Sequence, residues 1–450
     1  MPQVENIHSY HNRSKKVAVI GSGISGISAA WFLSQHHEVT LFEKDGRFGG
    51  HTNTVKIDVD DQYQSVDTGF IVFNRPNYPH LTAMLKHLKV ATENTDMSFS
   101  VTMDGGALEY AGSNLNTLFA QRSNLLSPSY LWMVKEILRF NKIAKQTLQG
   151  SSAVNDEMSL GEFLELHRFS ERMINQYLLP MAAAIWSCPV DTMMKFPALS
   201  FIQFFENHGL LNVQDRPQWE TVSGGAKHYI DEIMRIADFE SHCNVQIESV
   251  SALGKGVELS FKGGSSQLFD EVVFACHPNQ AFELMDDKFK AQYQTMSKFE
   301  YQTNIAYLHH DTDLMPKRRL AWSSWNYLRD TSRPESSVAV TYWMNKLQNI
   351  AVDKPILVTL NPVEPPKPNK VWSKFVYEHP VFDKNAQEAV AFLKQQQGKQ
   401  NLWFCGAYLG YGFHEDGLRS SVDLARSWGI LLPWQQPLVT EMPSSDRRVS

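Results

Sequence analysis

Three glycines near the start of the chain have the spacing of residues that bind a phosphate anion. Gly21, Gly23 and Gly26 follow the apolar run 17–20 and precede a segment whose apolar residues recur with a helical period. In such a strand–turn–helix unit the first glycine permits the tight turn, and the second lets backbone approach a pyrophosphate. The third lets the helix and the strand pack closely. The spacing therefore predicts a dinucleotide-binding unit.

A carboxylate and a second pair of glycines extend this prediction. Glu43 ends a second predicted strand 20 residues beyond Gly23, where a carboxylate can accept hydrogen bonds from both ribose hydroxyls. These residues alone leave NAD and FAD open. Arg47, Gly49 and Gly50 follow closely, and a second nest of backbone amides beside a guanidinium suits a longer cofactor whose pyrophosphate is held from two sides. The second pair of glycines therefore favours FAD.

The same motifs resemble those of a known superfamily that comprises flavin-containing amine oxidases, phytoene desaturases and protoporphyrinogen oxidases. In that superfamily the GxGxxG motif, the acidic residue and the trailing GRxGG motif, here "GRFGG", belong to FAD, and "VDTGF" resembles the strand beneath the flavin. The FAD-binding residues that the resemblance implies are Gly21, Gly23, Ser25, Gly26, Glu43, Lys44, Arg47, Gly49, Gly50, His51, Thr68, Gly69, Phe70, Val245, Ala275, Gly406, His414, Glu415, Asp416 and Gly417.

Three later segments carry the rest of this resemblance. In 219–230 a Gly-Gly pair opens a predicted helix, and in 243–277 a small array of strands would place the Val245 backbone at the adenine and Ala275 beneath the cofactor. In 402–425 a strand and a glycine-rich loop lead into a helix whose N-terminal amides would meet the pyrimidine edge of the flavin. Because 406–425 contains no cysteine, non-covalent FAD is expected.

The positions of these segments predict an interleaved chain. We expect an α/β fold in which a Rossmann-like FAD-binding domain of the GR2 type is interleaved with an α+β substrate domain, since insertions separate the cofactor segments. The predicted ranges are 15–80, 215–290 and 385–432 for the FAD-binding domain, 81–214 and 291–384 for the substrate domain, and 1–14 and 433–450 for flexible ends.

Few polar residues are candidates for catalysis. His51 follows the second glycine pair and is expected near the flavin, where it could position or catalyse, although a structural histidine fits the sequence equally well. Aromatic residues predict the wall of a substrate pocket, with Trp186 in an apolar insertion and Trp322, Trp325 and Tyr327 along a strand or turn. The catalytic prediction therefore has one residue and the pocket prediction four.

Two insertions leave alternatives open. Residues 178–211 are rich in aromatic and methionine side chains, which a core or an elongated apolar tunnel would each explain. Residues 128–148 predict an amphipathic basic helix, with Leu131 and Leu138 among lysines and arginines. Such a helix could rest on a bilayer or pack on its own domain.

Composition and motifs exclude several other classes of protein. The net charge of −6 and pI near 6.2 offer no global attraction to nucleic acid, and none is expected as a partner. His309 and His310 would alternate across a strand, so we expect no metal site. "GSGIS" is not the GxSxG of a serine hydrolase. Four separated cysteines, no signal peptide and no long apolar run predict a cytoplasmic protein that does not span a membrane.

A closer resemblance covers almost the whole chain. The segments "VDTGFIVFN", "AWSSWNY", "YEHPVF" and "FCGAYLGYGFHEDG" resemble a group of bacterial FAD-binding proteins often encoded beside methyltransferases that are similar to cyclopropane-fatty-acid synthase. Relatives oxidise or desaturate unsaturated and methylated fatty acyl chains. The resemblance implies a lipid or other apolar substrate, a methyltransferase partner and a peripheral location at the inner face of the membrane.

The sequence is therefore interpreted as an FAD-dependent oxidoreductase that removes a hydride from a substrate carbon, with a lipid acyl chain as the expected substrate. Two alternatives stay open. A flavin amine oxidase is one, although the lysine that many amine oxidases hold near the flavin is not found by motif. The other is a non-catalytic FAD-binding partner of the methyltransferase.

Overall fold

A computed structural model of the 450-residue chain describes residues 14–150, 158–186, 193–212, 216–332 and 338–435. The flexible ends predicted at 1–14 and 433–450 lie outside these ranges, apart from residue 14 and the short 3-10 helix Pro433–Gln435. The strands in chain order are β1 (Lys16–Ile20), β2 (Glu38–Phe42), β3 (Thr54–Val59), β4 (Gln62–Asp67), β5 (Val72–Asn74), β6 (Thr92–Thr95), β7 (Phe99–Met103), β8 (Leu108–Ala111), β9 (Trp219–Val222), β10 (Glu240–His242), β11 (Ile247–Leu253), β12 (Gly256–Phe261), β13 (Ser266–Phe269), β14 (Glu271–Phe274), β15 (Tyr301–His309), β16 (Trp325–Arg329), β17 (Val338–Trp343), β18 (Leu357–Leu360), β19 (Val371–Pro380) and β20 (Leu402–Phe404).

The α-helices of the same ranges are α1 (Ile24–Leu33), α2 (Pro79–His87), α3 (Leu115–Leu118), α4 (Pro128–Leu148), α5 (Leu160–Leu166), α6 (Glu171–Met173), α7 (Leu179–Trp186), α8 (Ala198–Asn207), α9 (Lys227–Ile236), α10 (Pro278–Leu284), α11 (Asp287–Tyr293), α12 (Met344–Leu347), α13 (Lys384–Gln396) and α14 (His414–Ser427). A π-helical turn, Ile174–Leu178, joins α6 to α7.

The first layer is a five-stranded parallel sheet in the order β10-β2-β1-β14-β20. Apart from the polar edge strand β10, its strands are largely apolar on both faces, as expected of a parallel sheet covered on both sides. Val17 and Val19 face a core that includes α1, α9 and α14, whereas Ala18 and Ile20 face a core that includes the antiparallel sheet β11-β12-β13. Because side chains alternate along a strand, one short run contributes to two cores.

The second layer is a seven-stranded mixed sheet in the order β19-β15-β18-β17-β16-β7-β8. All its strand pairs are antiparallel except β16 and β7. One face packs on a helical core that includes side chains of α4, α5, α7 and α8, and the other face packs on residues of β3, β4 and α12. Short strands β5, β9 and β6 form a separate antiparallel sheet.

The strands of the parallel sheet come from the three predicted cofactor segments, and those of the seven-stranded sheet come from the two intervening blocks. The domain boundaries themselves stay a prediction. Three local predictions are confirmed: the strand–turn–helix at 16–33, the helix after the Gly-Gly pair, and the helix at 128–148. Among the helices of the described ranges, none combines the length and apolar character needed to cross a bilayer.

Candidate active site

The candidate site lies where the parallel strands of the first sheet end. The loops that follow β1, β2, β14 and β20 leave from the same edge of this sheet, since parallel strands place their carboxyl ends together. Ligands of open α/β sheets bind in the crevice at such an edge. Most of the residues predicted to bind a dinucleotide lie in these loops or in the helices that follow them.

The first loop leaves the N-terminus of α1 open to an anion. Gly23 is the N-cap residue of α1 without a side-chain cap, and the first turn contains no acidic residue. A Cβ added at Gly26 would lie 1.8 Å from the Gly21 carbonyl oxygen, whereas a Cβ at Gly23 would meet no atom within 4 Å. Gly26 therefore enforces close packing, and Gly23 faces free space beside the uncapped amides.

The predicted ribose carboxylate lies at the end of β2. Glu43 Oε2 accepts hydrogen bonds from the Ser22 amide at 2.9 Å and the Ser22 hydroxyl at 2.6 Å, and its Oε1 accepts from the Asp45 amide at 2.9 Å. The Gly49 amide donates to the Ser22 carbonyl at 3.0 Å. Glu43 thereby fixes the first glycine loop and the second one relative to each other.

The second glycine loop is held by its own arginine. Arg47 donates to the Gly50 carbonyl at 2.7 Å and to the Thr52 carbonyl at 3.3 Å. Gly50 is in the left-handed region, at φ 56°, and a Cβ there would lie 3.0 Å from the Gly23 Cα. Both loops therefore approach each other so closely that a side chain at Gly50 would be strained.

The segment after β4 passes directly beneath His51. The Phe70 amide donates to the His51 carbonyl at 2.8 Å, and a Cβ at Gly69 would lie 2.2 Å from that carbonyl oxygen. Phe70 stacks on His414 with a centroid distance of 3.8 Å, and the Tyr229 hydroxyl lies 2.7 Å from His414 Nε2. This segment is irregular backbone where the sequence predicted a strand.

A hydrogen-bonded network continues from Thr68 into the second sheet. The Tyr377 hydroxyl lies 2.7 Å from Thr68 Oγ1 and 2.9 Å from Asn53 Nδ2. Tyr377 and His379 are two residues apart on β19, so both point to the same side of that strand. Sequence reasoning assigned no role to either residue, although "YEHPVF" was among the motifs of the resemblance. Their spacing of two residues, which is the period of a strand, was the available signal.

Four imidazoles belong to this region: His51, His277, His379 and His414. Burial, reinforced by Arg47, lowers the pKa of His51 to about 4. Burial also lowers the pKa values of the other three to about 3, and the influence of neighbouring imidazoles adds to the effect. All four rings are therefore neutral near pH 7. His51 Nε2 is buried without a hydrogen-bond partner.

Asp67 joins the glycine pair before α9 to the rest of the site. Its carboxyl accepts from the Ala226 amide at 3.0 Å and from Gln348 Nε2 at 2.8 Å, and Thr54 also donates to it. Burial raises the pKa of Asp67 to about 7, although the hydrogen bonds from Thr54 and Ala226 favour the ionised form. Gln348 is a further contact residue that the sequence motifs did not indicate.

The acidic residues in the first turn of α14 have protein partners. Glu415 accepts from the backbone amides of His80 at 2.9 Å and Leu81 at 3.0 Å, so its side chain caps α2. Asp416 accepts from the amides of Tyr411 at 3.0 Å and Phe413 at 3.1 Å and also pairs with Arg419. The side chains of both predicted cofactor residues are therefore bound to protein groups.

The remaining predicted cofactor residues lie around the same edge. The Val245 amide donates to the Glu43 carbonyl at 2.9 Å, so this donor is already used and only the carbonyl is left for an adenine. The Ala275 amide extends the sheet to Ile20, and the Gly406 amide donates to Ser420 Oγ. Ser25 and Gly417 meet where α1 packs on α14, since a Cβ at Gly417 would lie 2.9 Å from Ser25 Oγ, and Lys44 is exposed.

The three predicted pocket residues whose side chains the structure describes have different surroundings. Trp322 donates to the Pro316 carbonyl at 2.7 Å and packs on Arg319 and Trp343. Tyr327 is fully buried in the helical core of the second layer, and its pocket role stays a prediction. Trp325 is partly buried against the cores on both faces of the sheet. The side chain of Trp186 lies outside the described part of the chain.

An aromatic row extends from the imidazoles into the second layer. Phe413, the residue before His414, stacks on Phe204 of α8 at 4.9 Å, and Phe204 stacks on His208 at 3.9 Å. His208 is followed by Trp219 at 6.0 Å. Burial lowers the pKa of His208 to about 4, so this row is uncharged near neutral pH. Phe204 belongs to the insertion 178–211, for which the sequence left both a core and an apolar tunnel open.

The arrangement fits a dinucleotide with a flavin. Free space beside Gly23 and the uncapped amides of α1 suit a pyrophosphate, and the partnerless Nε2 of His51 is a buried group that a cofactor atom could satisfy. Glu43 lies at the position expected for a ribose contact, although protein donors already reach both of its oxygens.

Comparison with known proteins shows the family and the fold. The sequence model described as flavin containing amine oxidoreductase matches residues 24–426. A 4,4'-diapophytoene desaturase (4,4'-diaponeurosporene-forming) of Staphylococcus aureus strain Newman is 52% identical over 44 residues. That match covers 10% of this chain and 9% of the desaturase, so it concerns one motif region only.

Solved structures match over far more of the chain. A CLA-producing fatty acid isomerase from P. acnes superposes with a TM-score of 0.64 at 14% identity, covering 92% of this chain and 98% of the isomerase. A triple mutant of putrescine oxidase with redesigned cofactor binding gives a TM-score of 0.62 at 15% identity, with the same coverage. At such identities the likeness concerns the fold, and the predicted α/β fold class with an FAD-binding domain is confirmed.

Proposed function

The chain belongs to the flavin-containing amine oxidoreductase family and is a flavin-dependent oxidoreductase with FAD as its cofactor; on this premise we propose that it oxidises or desaturates an unsaturated or methylated fatty acyl chain of a lipid. The observation that carries the proposal is the aromatic row from His414 through Phe413 and Phe204 to Trp219. This row of uncharged rings begins next to the imidazoles, and an extended acyl chain could make apolar contacts along the row.

The charges of the site support an apolar substrate over an ammonium ion. The buried carboxyls of the region, Asp67, Glu415 and Asp416, accept hydrogen bonds from backbone amides, and the four imidazoles are neutral near pH 7. A buried ammonium needs an ionised partner to offset its desolvation. These carboxyls are already used, so recognition of an amine would require another carboxylate.

In this proposal the chain's own residues hold the cofactor and align the substrate. The α1 amides beside Gly23 would hold the pyrophosphate, Glu43 a ribose, and the first turn of α14 would adjoin the flavin. When bound, FAD would accept a hydride equivalent from a substrate carbon. The aromatic row orients the acyl chain, which accelerates reaction by restricting the approach of the reacting bond.

We propose that His51 positions a reacting group. With a pKa of about 4 its imidazole is a weak base at pH 7, but a neutral ring with a partnerless buried Nε2 can donate or accept one hydrogen bond. The rings of Tyr377 and His379, 5.1 and 5.3 Å away, limit the orientations open to it. The substrate proton that remains after hydride loss would then leave to water.

Similar proteins support both the lipid proposal and its main alternative. A fatty acid isomerase and a desaturase are among the relatives, which agrees with an unsaturated chain, and putrescine oxidase represents the amine oxidases. We keep the methyltransferase predicted from the sequence as a proposed partner, since it would supply methylated acyl chains.

The test is anaerobic reduction of the bound flavin. Purified holoenzyme would be mixed with vesicles of unsaturated or methylated phospholipids, with vesicles of saturated phospholipids, or with putrescine and cyclohexylamine, while the visible flavin band is recorded. Dithionite reduction confirms in each sample that the flavin can be reduced. We expect bleaching by the unsaturated or methylated lipid alone, and mass analysis of the product then locates the change.

A pair of variants tests the aromatic row. Phe204→Leu shortens the row, whereas Phe140→Leu alters a buried phenylalanine of the same core that packs on Phe163. We expect about a ten-fold lower kcat/KM for lipid in Phe204→Leu only, which corresponds to about 1.4 kcal/mol. Bleaching by amines, or equal effects of the two variants, would contradict the lipid proposal.

A further inference from the structure

The far edge of the seven-stranded sheet contains a polar cavity remote from the imidazoles. The cavity measures about 370 Å³ and is lined by the β7–β8 hairpin, the π-helical turn and the end of β16. β7 is separated from β19, which contributes Tyr377 and His379, by four intervening strands. At roughly 4.8 Å per strand, the two places are about 24 Å apart along the sheet.

Two guanidinium groups line this cavity. Arg172 donates from Nε to Gln176 Oε1 at 2.8 Å and from Nη1 to Ser129 Oγ, and it lies over the Tyr130 ring. These contacts fix the plane of the guanidinium while leaving three of its five N–H groups for a ligand. Arg329 lines the same cavity. Such groups recognise phosphate oxygens.

A buried amide donor without a partner lies beside the arginines. Asn124 lines the cavity and is 6% exposed, and its Nδ2 is buried without a hydrogen-bond partner. An unpaired buried donor is costly in an apo protein, and an anionic oxygen would satisfy it. The cavity also contains Asp104, whose carboxylate accepts from the Thr331 amide and hydroxyl at 2.7 Å. The two arginines outnumber this one carboxylate.

Exposed apolar side chains lie close in the sequence to Asn124, which lines the cavity, and to Ser129, which contacts Arg172. Leu126, two residues after Asn124, is 88% exposed, and Leu115 is 74% exposed. On α4 an exposed stripe contains Leu131 and Leu138, with Trp132 beside it. This outer face of the helix differs from its buried face, which packs Tyr130, Met133, Phe140 and Ala144 into the core.

The charged residues in this segment of the sequence have one sign. Residues 110–135 contain no aspartate or glutamate, and they include Arg122 and Lys135, whose ammonium group lies over the Trp132 ring. The acidic residue of α4, Glu136, is buried and bonded to Ser170. This local basic surface contrasts with the net charge of −6 of the whole chain, so attraction to an anionic surface would be confined to this face.

We propose that this face, residues 115–138 together with the cavity of Arg172, Arg329 and Asn124, docks on a bilayer of anionic phospholipids. Leu115, Leu126 and Trp132 enter the headgroup region, and the cavity takes a lipid phosphate. Exposed leucine and tryptophan beside lysine and arginine is the composition of a segment that lies in the membrane interface. This inference goes beyond the proposed substrate and does not depend on it.

The test is flotation of the holoenzyme with vesicles. Vesicles of phosphatidylcholine alone are compared with vesicles that contain phosphatidylglycerol, at low and high salt. We expect partitioning onto the anionic vesicles only, weakened by salt because surface charges are screened. The Leu126→Ser/Trp132→Ser variant should lose partitioning about ten-fold or more. Arg172→Gln should lower partitioning about five-fold, which is the contribution expected of one basic side chain near an anionic surface.

Matched controls lie on other surfaces of the chain. Leu253→Ser/Leu268→Ser removes two leucines that are about half exposed, as Trp132 is, and Arg235→Gln removes an exposed arginine of α9. Both should bind like the unmodified protein, and near-UV circular dichroism with flavin content verifies folding of each variant. Equal partitioning onto neutral vesicles, or unchanged binding of Arg172→Gln, would overturn the proposal. Binding of inorganic phosphate by a protein that does not bind vesicles would also overturn the proposal. Dimerisation through Leu126 and Trp132 in place of vesicle binding would overturn it as well.

Discussion

Two helices begin at the same edge of the parallel sheet, and their first turns are built in opposite ways. α1 follows β1 and begins at Gly23, with neither a side-chain cap nor an acidic residue in its first turn. α14 follows β20 and has Glu415 and Asp416 in its first turn. The helices contact each other, since Ser28 Oγ and Ser421 Oγ are 2.6 Å apart.

The difference shows that the N-terminus of one helix can bind a ligand while the N-terminus of another stabilises the fold. The α1 amides have no carboxylate of their own, so the positive end of that helix is left for a bound anion. The α14 turn contains Asp416, which bonds to the backbone just before the helix, and Glu415, which caps α2. We infer that α1 is mainly a binding end and α14 mainly a structural junction.

The largest expected effect is at the third glycine of α1. Gly26→Ala would place a Cβ 1.8 Å from the Gly21 carbonyl oxygen, so the helix or the loop must shift. We expect the free energy of unfolding to fall by about 4 kcal/mol or more, with loss of FAD. Chemical denaturation and the flavin content of the purified variant measure both. A stable variant with full flavin content would contradict the close packing of α1 on its loop.

The second effect concerns the first turn of α14. Asp416→Ala leaves the amides of Tyr411 and Phe413 without their acceptor, and we expect a loss of about 2 kcal/mol in unfolding free energy. Asp423→Ala on the same helix is the control, because Asp423 is exposed and forms a long ion pair with Arg426 at 3.5 Å. We expect less than about 0.5 kcal/mol there. Equal losses would argue against the structural role of Asp416.

The third prediction uses pH. Burial raises the pKa of Glu415 from 4.5 to about 7, so between these values the folded state keeps a proton that the unfolded state releases. The contribution of Glu415 to unfolding free energy therefore decreases as pH rises through this window. In Glu415→Gln one accepting oxygen becomes an NH2 group, which cannot accept from a backbone amide, whereas the protonated carboxyl of the parent keeps a hydroxyl oxygen that can. We therefore expect the variant to be about 1 kcal/mol less stable than the parent at pH 5.

This deficit should become smaller by pH 8, because only the parent loses stability as Glu415 ionises. Urea denaturation of both proteins at pH 5, 6, 7 and 8 measures the difference, in which the titration of the histidines cancels. A deficit that grows with pH would mean that the ionised carboxylate is the better cap of α2.

The smallest effect on stability is expected at Gly23, where the comparison is sharpest. Gly23→Ala meets no atom within 4 Å and has an extended backbone that alanine also adopts, at φ −60° and ψ 179°. We expect unfolding free energy to change by less than about 1 kcal/mol and the affinity for FAD to fall roughly ten-fold. Titration of the apoprotein with FAD measures the affinity. If affinity stays unchanged while stability falls, Gly23 serves the fold instead of the pyrophosphate.

Several local elements of secondary structure were predicted well from the sequence. The βαβ unit at 16–42, the helix after the Gly-Gly pair and the helix at 128–148 depend on backbone geometry and apolar periodicity, which neighbouring residues determine. The face of the 128–148 helix was less predictable. The sequence places Leu131 and Leu138 on an apolar stripe of this helix, yet both are exposed. The residues that face the core are Tyr130, Met133 and Phe140.

The partners of polar groups were the other limit of sequence reasoning. Tyr377 meets Thr68 from 309 residues away, and Gln348 meets Asp67 from 281 residues away. No local pattern encodes such pairs, because they form only when two sheets pack together. Tyr327 shows the reverse case, since its aromatic spacing indicated a pocket and the packing of helices on its strand buried it completely.

The sequence by itself determined the family, the FAD cofactor and the strand–turn–helix that opens the cofactor fold, since glycine spacing and short-range periodicity specify backbone conformation directly. Only the tertiary structure decided which groups became available to a ligand. In the tertiary structure the α1 amides have no side-chain cap, and the Glu415 side chain caps α2. Burial keeps four imidazoles neutral, and residues 115–138 expose apolar side chains beside basic ones. Burial and partner choice depend on long-range packing, which no single segment of the sequence contains.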